Sequence, residues 1–183
     1  MKRELAMIAC GLLLTGCASS GSSKSASAAK SGSPGIVAKA TDAQIADLLG
    51  RVKSLDGEWE MTGPGGEKGT IVFKTIAGGS AVREIMFPGT EHEMTNLYHV
   101  DGPTLVVTHY CAAGNQPHMR ATQATGNSIV FICDSVSNLT AKDQTYMGGL
   151  TLVFKDANHI TQKWAHMADG KTTLGPDFDL TRK

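Results

Sequence analysis

From Leu55 onward the chain is a succession of short alternating or β-branched runs separated by turn signals, and this pattern leaves room for few folds. The punctuation includes Gly63-Pro64-Gly65-Gly66, Gly78-Gly79, Asp101-Gly102 and Gly126-Asn127. Strands are expected near 57–62, 68–76, 80–87, 92–100, 103–111, 117–124, 127–134, 146–155, 158–166 and 171–181. Strands in simple succession with short links favour an antiparallel meander, and a meander of this size removes its exposed edges by closing on itself. The expected fold is all-β: an antiparallel up-and-down barrel of about ten strands. Low aromatic content, 5%, and 21 glycines agree with many tight turns and few long helices.

One short helix should precede the barrel. In Thr41-Asp42-Ala43-Gln44 the threonine caps and the glutamine reaches back, while Ile45, Leu48, Leu49 and Val52 form one apolar stripe.

The first forty residues do not belong to that domain. Met1-Lys2-Arg3 is a short positive segment, followed by an apolar run from Leu5 to Leu14. Ten or so apolar residues are too few for a membrane span, which needs roughly twenty, so residues 1–16 are expected to be a removed signal peptide. Leu14-Thr15-Gly16-Cys17 resembles the bacterial lipobox, whose cysteine carries the lipid. The resemblance implies lipidation at Cys17 and, with Ala18 rather than Asp following it, an anchor in the outer membrane facing the periplasm. Residues 17–40 then read as the lipidated cysteine and a Ser/Ala/Gly tether with a reach of roughly 25 Å, and residues 41–183 as the barrel domain.

Charge excludes one class of partner. The chain carries 17 basic and 17 acidic residues, and loss of Lys2, Arg3 and Glu4 leaves 15 against 16. A nucleic-acid binder needs an excess of Lys and Arg to neutralise phosphates, so none is expected.

At the junction of helix and first strand stands Gly57-Glu58-Trp59. Here the chain resembles the calycin superfamily of lipocalin-like and fatty-acid-binding barrels, in which a short helix precedes a Gly-x-Trp on the first strand. The resemblance implies that Trp59 plugs one end of the barrel and that Arg182, on the last strand, packs over it. Thr108 to Pro117 is also similar to a stretch of bacterial lipoproteins of this type, a likeness that supplies no activity.

The densest polar chemistry lies between Glu91 and Arg120. Strand alternation places Leu105, Val107, His109 and Cys111 on one face. If that face looks inward, His109 and Cys111 lie at a barrel mouth covered by the loop from Ala112 to Gln116. His109, Tyr110, Asn115, Gln116, His118 and Arg120 are then the expected ligand-binding residues, apolar walls giving affinity and a few polar groups orientation. The competing reading is that His109 and Tyr110 satisfy backbone groups and that Asn115-Gln116-Pro117 is turn chemistry. Arg83 and Arg120 either face solvent or, by the resemblance, hold an anionic ligand inside.

Six histidines raise the question of a metal or haem. No compact metal motif is present, and no cofactor is predicted. A haem would need one axial histidine in a greasy cavity, with His109, His118 and His166 as candidates. Cys111 and Cys133 end strands that run the same way with one strand between them. Two strand spacings, about 9.6 Å, exceed the roughly 7 Å reach of a disulfide between Cα atoms. They bond only if Cys111 has left the sheet, and otherwise remain two thiols.

The expected function is that of a membrane-anchored envelope lipoprotein whose barrel binds a small, partly apolar ligand. One alternative is a structural or assembly lipoprotein with a filled barrel that acts through a protein partner. A second is an envelope enzyme, which needs His109 within reach of Cys111 or Glu93.

Overall fold

Alternation of inward and outward side chains sets the architecture. The computed structural model describes residues 35–121 and 124–183; the expected signal segment, Cys17 and the expected tether up to residue 34 lie outside the described residues. The strands are β1 Gly57–Thr62, β2 Lys68–Ile76, β3 Ala81–Met86, β4 Met94–Asp101, β5 Thr104–Tyr110, β6 Gln116–Ala121, β7 Ala124–Thr125, β8 Ser128–Ser137, β9 Tyr146–Phe154, β10 His159–Ala168 and β11 Lys171–Arg182. Each pairs antiparallel with its neighbours, β1 pairs β11, and β6 pairs β8, so ten strands close into a barrel. The two-residue β7 extends the hairpin with β8 and stands outside the ring.

The helix comes before the barrel, as its cap and stripe require. It runs through α1 Asp42–Ile45, a π-helical turn Ala46–Gly50 and α2 Arg51–Lys53. Thr41 and Gln44 form the reciprocal cap, Gln44 N donating to Thr41 Oγ1 at 3.2 Å and Thr41 N to Gln44 Oε1 at 2.9 Å. Leu48, Leu49 and Val52 are buried against the barrel.

At this helix end Trp59 and Arg182 are register partners on β1 and β11. The indole is wholly buried and donates from Nε1 to Leu55 O at 2.8 Å. The guanidinium lies 4.3 Å over the ring and donates to the carbonyls of Ser54, Asp56 and Ala157. Gly57 begins β1 at φ +130°, and a Cβ there would come within 3.2 Å of Arg182 Nη1. A larger residue would be strained and would push on the guanidinium.

Three irregularities fall in the half of the barrel away from the helix. Asp134 is the extra residue where β8 meets β6, Gly148 where β9 meets β10, and Gly175-Pro176 oppose Trp164 where β11 meets β10. Bulges let a strand bend without ending. That is why β8 continues to Ser137 and β10 to Ala168, past the ends expected near 134 and 166. Pro176 lacks an N–H, and the bulge is where a strand tolerates that loss.

The lumen is filled by the protein's own side chains. Trp59, Phe73, Met86, Tyr98, Met119, Phe131, Leu150 and Trp164 are each no more than 2% exposed. Tyr98 and Phe131 pack edge to face at 5.9 Å, and Trp59 and Phe73 at 6.4 Å. Phe154, half-buried near the helix, is covered by the Arg51 guanidinium at 4.5 Å.

Candidate functional site

The residues expected to share a ligand mouth are distributed over three places. His109 points into the lumen from β5 and is buried, whereas Tyr110 points outward and is exposed. Asn115 and Gln116 lie in and after the turn from β5 to β6. Asn115 is buried, donates from Nδ2 to Thr145 O at 3.0 Å, and its backbone carbonyl accepts from Cys111 N; Gln116 Nε2 donates to Gly114 O. This is turn chemistry, tied to the start of β9.

His118 and Arg120 are on the outer face of β6. His118 bonds Thr108 Oγ1 through Nδ1 and Ser137 Oγ through Nε2, each at 3.1 Å. Arg120 bridges Asp101 and Asp134, which holds its pKa above the usual value. With His99 and Ser135 these side chains line an outer groove of about 360 Å³. Arg83 is exposed, so neither arginine enters the lumen.

Cys111 has left β5 and Cys133 lies on β8; both are free thiols, with Cys133 Sγ near Ser135 O at 3.3 Å. Burial pushes the Cys133 thiol pKa up. Glu93 accepts from Gly89 N at 2.7 Å, and His109 has a different partner, so neither Cys111 nor Glu93 is hydrogen bonded to it.

The partner of His109 opens onto a network of side chains drawn from four strands that no local spacing brings together. Glu84, from β3, is wholly buried. Its Oε2 accepts from Asn96 Nδ2 at 2.8 Å and from Tyr98 Oη at 2.7 Å, and its Oε1 from Gln162 Nε2 at 2.7 Å. Asn96 Oδ1 stands 2.7 Å from His109 Nδ1. Burial raises the Glu84 carboxyl, with the three hydrogen bonds pulling it back, and burial lowers His109 to about 4. Burial and the neighbouring Glu84 together keep the Tyr98 phenol well above its usual range. His109 packs at 5.0 Å on the tilted ring of Trp164, among nearly unexposed side chains. Among the described residues no three of His, Cys, Asp and Glu converge as a metal site would require.

A sequence signal for this network existed. Val82-x-Glu84-x-Met86, Asn96-x-Tyr98 and Ile160-x-Gln162-x-Trp164 each set a polar group in the inward register, and buried polar groups demand partners.

The end of the barrel away from the helix carries an apolar cleft of about 630 Å³, lined among others by Lys68, Thr70, Phe87, Pro88, His92 and Met94. Phe87 has φ +56°, a left-handed conformation that a bulky side chain adopts only when its surroundings impose it. Thr70 O accepts from Phe87 N at 2.9 Å, and Phe87 O accepts from Thr90 Oγ1 at 2.8 Å. So held, the ring packs edge to face on Phe178 at 5.9 Å. It crosses Gly69, where a Cβ would lie 3.0 Å from the ring and 2.9 Å from Met61 Cε. Phe87 thereby forms part of the wall between the cleft and the packed lumen.

Comparison with protein-family models and with curated proteins finds no match for this sequence.

Proposed function

We propose that this chain is a lipid-anchored barrel of the bacterial envelope, facing the periplasm, that holds a small, partly apolar ligand in the cleft beside Phe87 and Met94. The observation that carries the reading is the cleft itself: apolar walls with the cation Lys68 and the imidazole of His92 among its lining groups. Lys68 Nζ donates to Glu60 Oε1 and Thr62 Oγ1, each at 2.8 Å, at the rim of the cleft. Because the lumen is filled, the ligand occupies the mouth rather than the interior. Calycin kinship is part of the proposal; the order helix, Gly57-x-Trp59 and closing strand, with Arg182 over Trp59, supports it.

A second reading, a filled barrel acting through a protein partner, is favoured by apolar side chains left on the outside. Ile132 is 68% exposed and Leu174 94%. Isolated exposed apolar residues are common, so this carries less weight than the cleft.

Native mass spectrometry decides between them, using residues 36–183 sent to the envelope by an ordinary secretory signal and purified without refolding. The expected result is a co-purifying mass that leaves on mild denaturation, is lost with Met94→Trp and is kept with Arg120→Ala. A bare chain that takes up nothing from lipid or solvent extracts overturns the ligand reading in favour of a protein partner.

A further inference from the structure

The polar layer inside the barrel has a direction, and Glu84 is where it ends. Asn96 Nδ2, Tyr98 Oη and Gln162 Nε2 all donate to the carboxylate, and each donation fixes the far end of its side chain. Since the Asn96 amide nitrogen faces Glu84, Oδ1 is the acceptor, and His109 Nδ1 must carry the proton of their 2.7 Å hydrogen bond. With burial holding the ring neutral, Nε2 of His109 is a bare lone pair. By the same logic Gln162 presents Oε1 as an acceptor. Trp164, two residues further along β10, offers only an N–H. These three atoms, His109 Nε2, Gln162 Oε1 and Trp164 Nε1, are buried without a protein partner.

We propose that they form the site of one tightly held water molecule, which closes a ring running Glu84, Asn96, His109, water, Gln162 and back to Glu84. The water donates to His109 Nε2 and Gln162 Oε1 and accepts from Trp164 Nε1. Polarity selects the occupant. A cation has nothing to accept the Trp164 N–H, an anion leaves both lone pairs bare, and an alcohol has one proton for two acceptors. Water has the two donors and the acceptor the site requires, and ordering one molecule costs far less than leaving three buried groups unsatisfied. The site is separate from the cleft beside Phe87 and does not depend on a ligand there.

A crystal structure of the mature chain, residues 17–183, at atomic resolution tests the assignment. One isolated density peak about 3 Å from all three atoms is expected. A dry lumen, an anomalous metal signal or density larger than one water overturns it. In solution the Trp164 indole N–H should show a nuclear Overhauser effect to a long-lived water, and the nitrogen shifts of His109 should report a proton on Nδ1 alone. Gln162→Leu removes one acceptor and should reduce the water signal at Trp164 several-fold; an undiminished signal overturns the shared site. Should that variant fail to fold, the crystal structure and the His109 shifts of the unaltered chain still decide.

Discussion

Glu84 on β3 and Gln162 on β10 meet across the lumen, Oε1 of one 2.7 Å from Nε2 of the other although 78 residues separate them in sequence. With Asn96 and Tyr98 they give the carboxylate three donors. Glu84→Leu leaves all three donors buried and unpaired, and is expected to cost about 3 kcal/mol or more, read from the urea midpoint at neutral pH. A loss below about 1 kcal/mol would show that the donors find other partners.

The two buried titrating groups push stability in opposite directions with pH. His109 titrates at about 4 in the fold against 6.5 in the open chain. Its contribution is therefore complete above pH 6.5 and is lost as pH falls toward 4, by about 3 kcal/mol in total. Glu84 is raised by burial, so its contribution is present below its open-chain pKa and is lost as pH rises through the folded value. Stability measured against pH should lose the acid-side decline in His109→Leu and the opposing slope in Glu84→Gln. An unchanged acid-side decline in His109→Leu would place its origin elsewhere.

Arg182 joins the ends of the barrel domain by charge, stacking and three carbonyls at once. Arg182→Ala is expected to lower stability by roughly 2–3 kcal/mol. Arg182→Lys should lose about half of that, because an ammonium keeps the charge over the indole but cannot span three acceptors with a planar fork. Equal effects of the two substitutions in chemical denaturation would contradict this account.

The lipid anchor proposed at Cys17 has its own test. Cells fed labelled palmitate should incorporate label into the unaltered chain and into Cys10→Ser, and not into Cys17→Ser. Label retained in Cys17→Ser would overturn the lipobox reading.

Strand periodicity carried most of the fold. The alternation in Ala81–Met86 or Tyr146–Phe154 has one buried side, and the turn residues between runs mark where the chain reverses, so the number of strands in the ring was legible. The candidate site was less so. His109 faces inward as alternation predicts, but His118 and Arg120 fall on the outer face, since an antiparallel partner strand sets its own inward positions, here Pro117 and Met119. Sequence proximity between 109 and 120 therefore did not mean one site. Glu84 and Gln162 were legible only as polar residues in an inward register; that they meet is a matter of ring closure, which no local pattern encodes. The left-handed turn at Phe87 was likewise hidden, because it is held by Thr70 and Thr90 and by room at Gly69 rather than by its own preference.

Pairing of β1 with β11 also has a temporal side. The strand that seals the cylinder is the last of the eleven to leave the ribosome, and Lys183 N reaches back to Glu58 O. Until it arrives, β1 and β10 each present an unpaired row of backbone groups, the feature that templates aggregation. The delay lasts until β11 is free to pair with β1 on one side and β10 on the other. The same delay makes Lys171–Arg182 the segment where a premature stop would turn a sealed cylinder into an open sheet with two sticky margins.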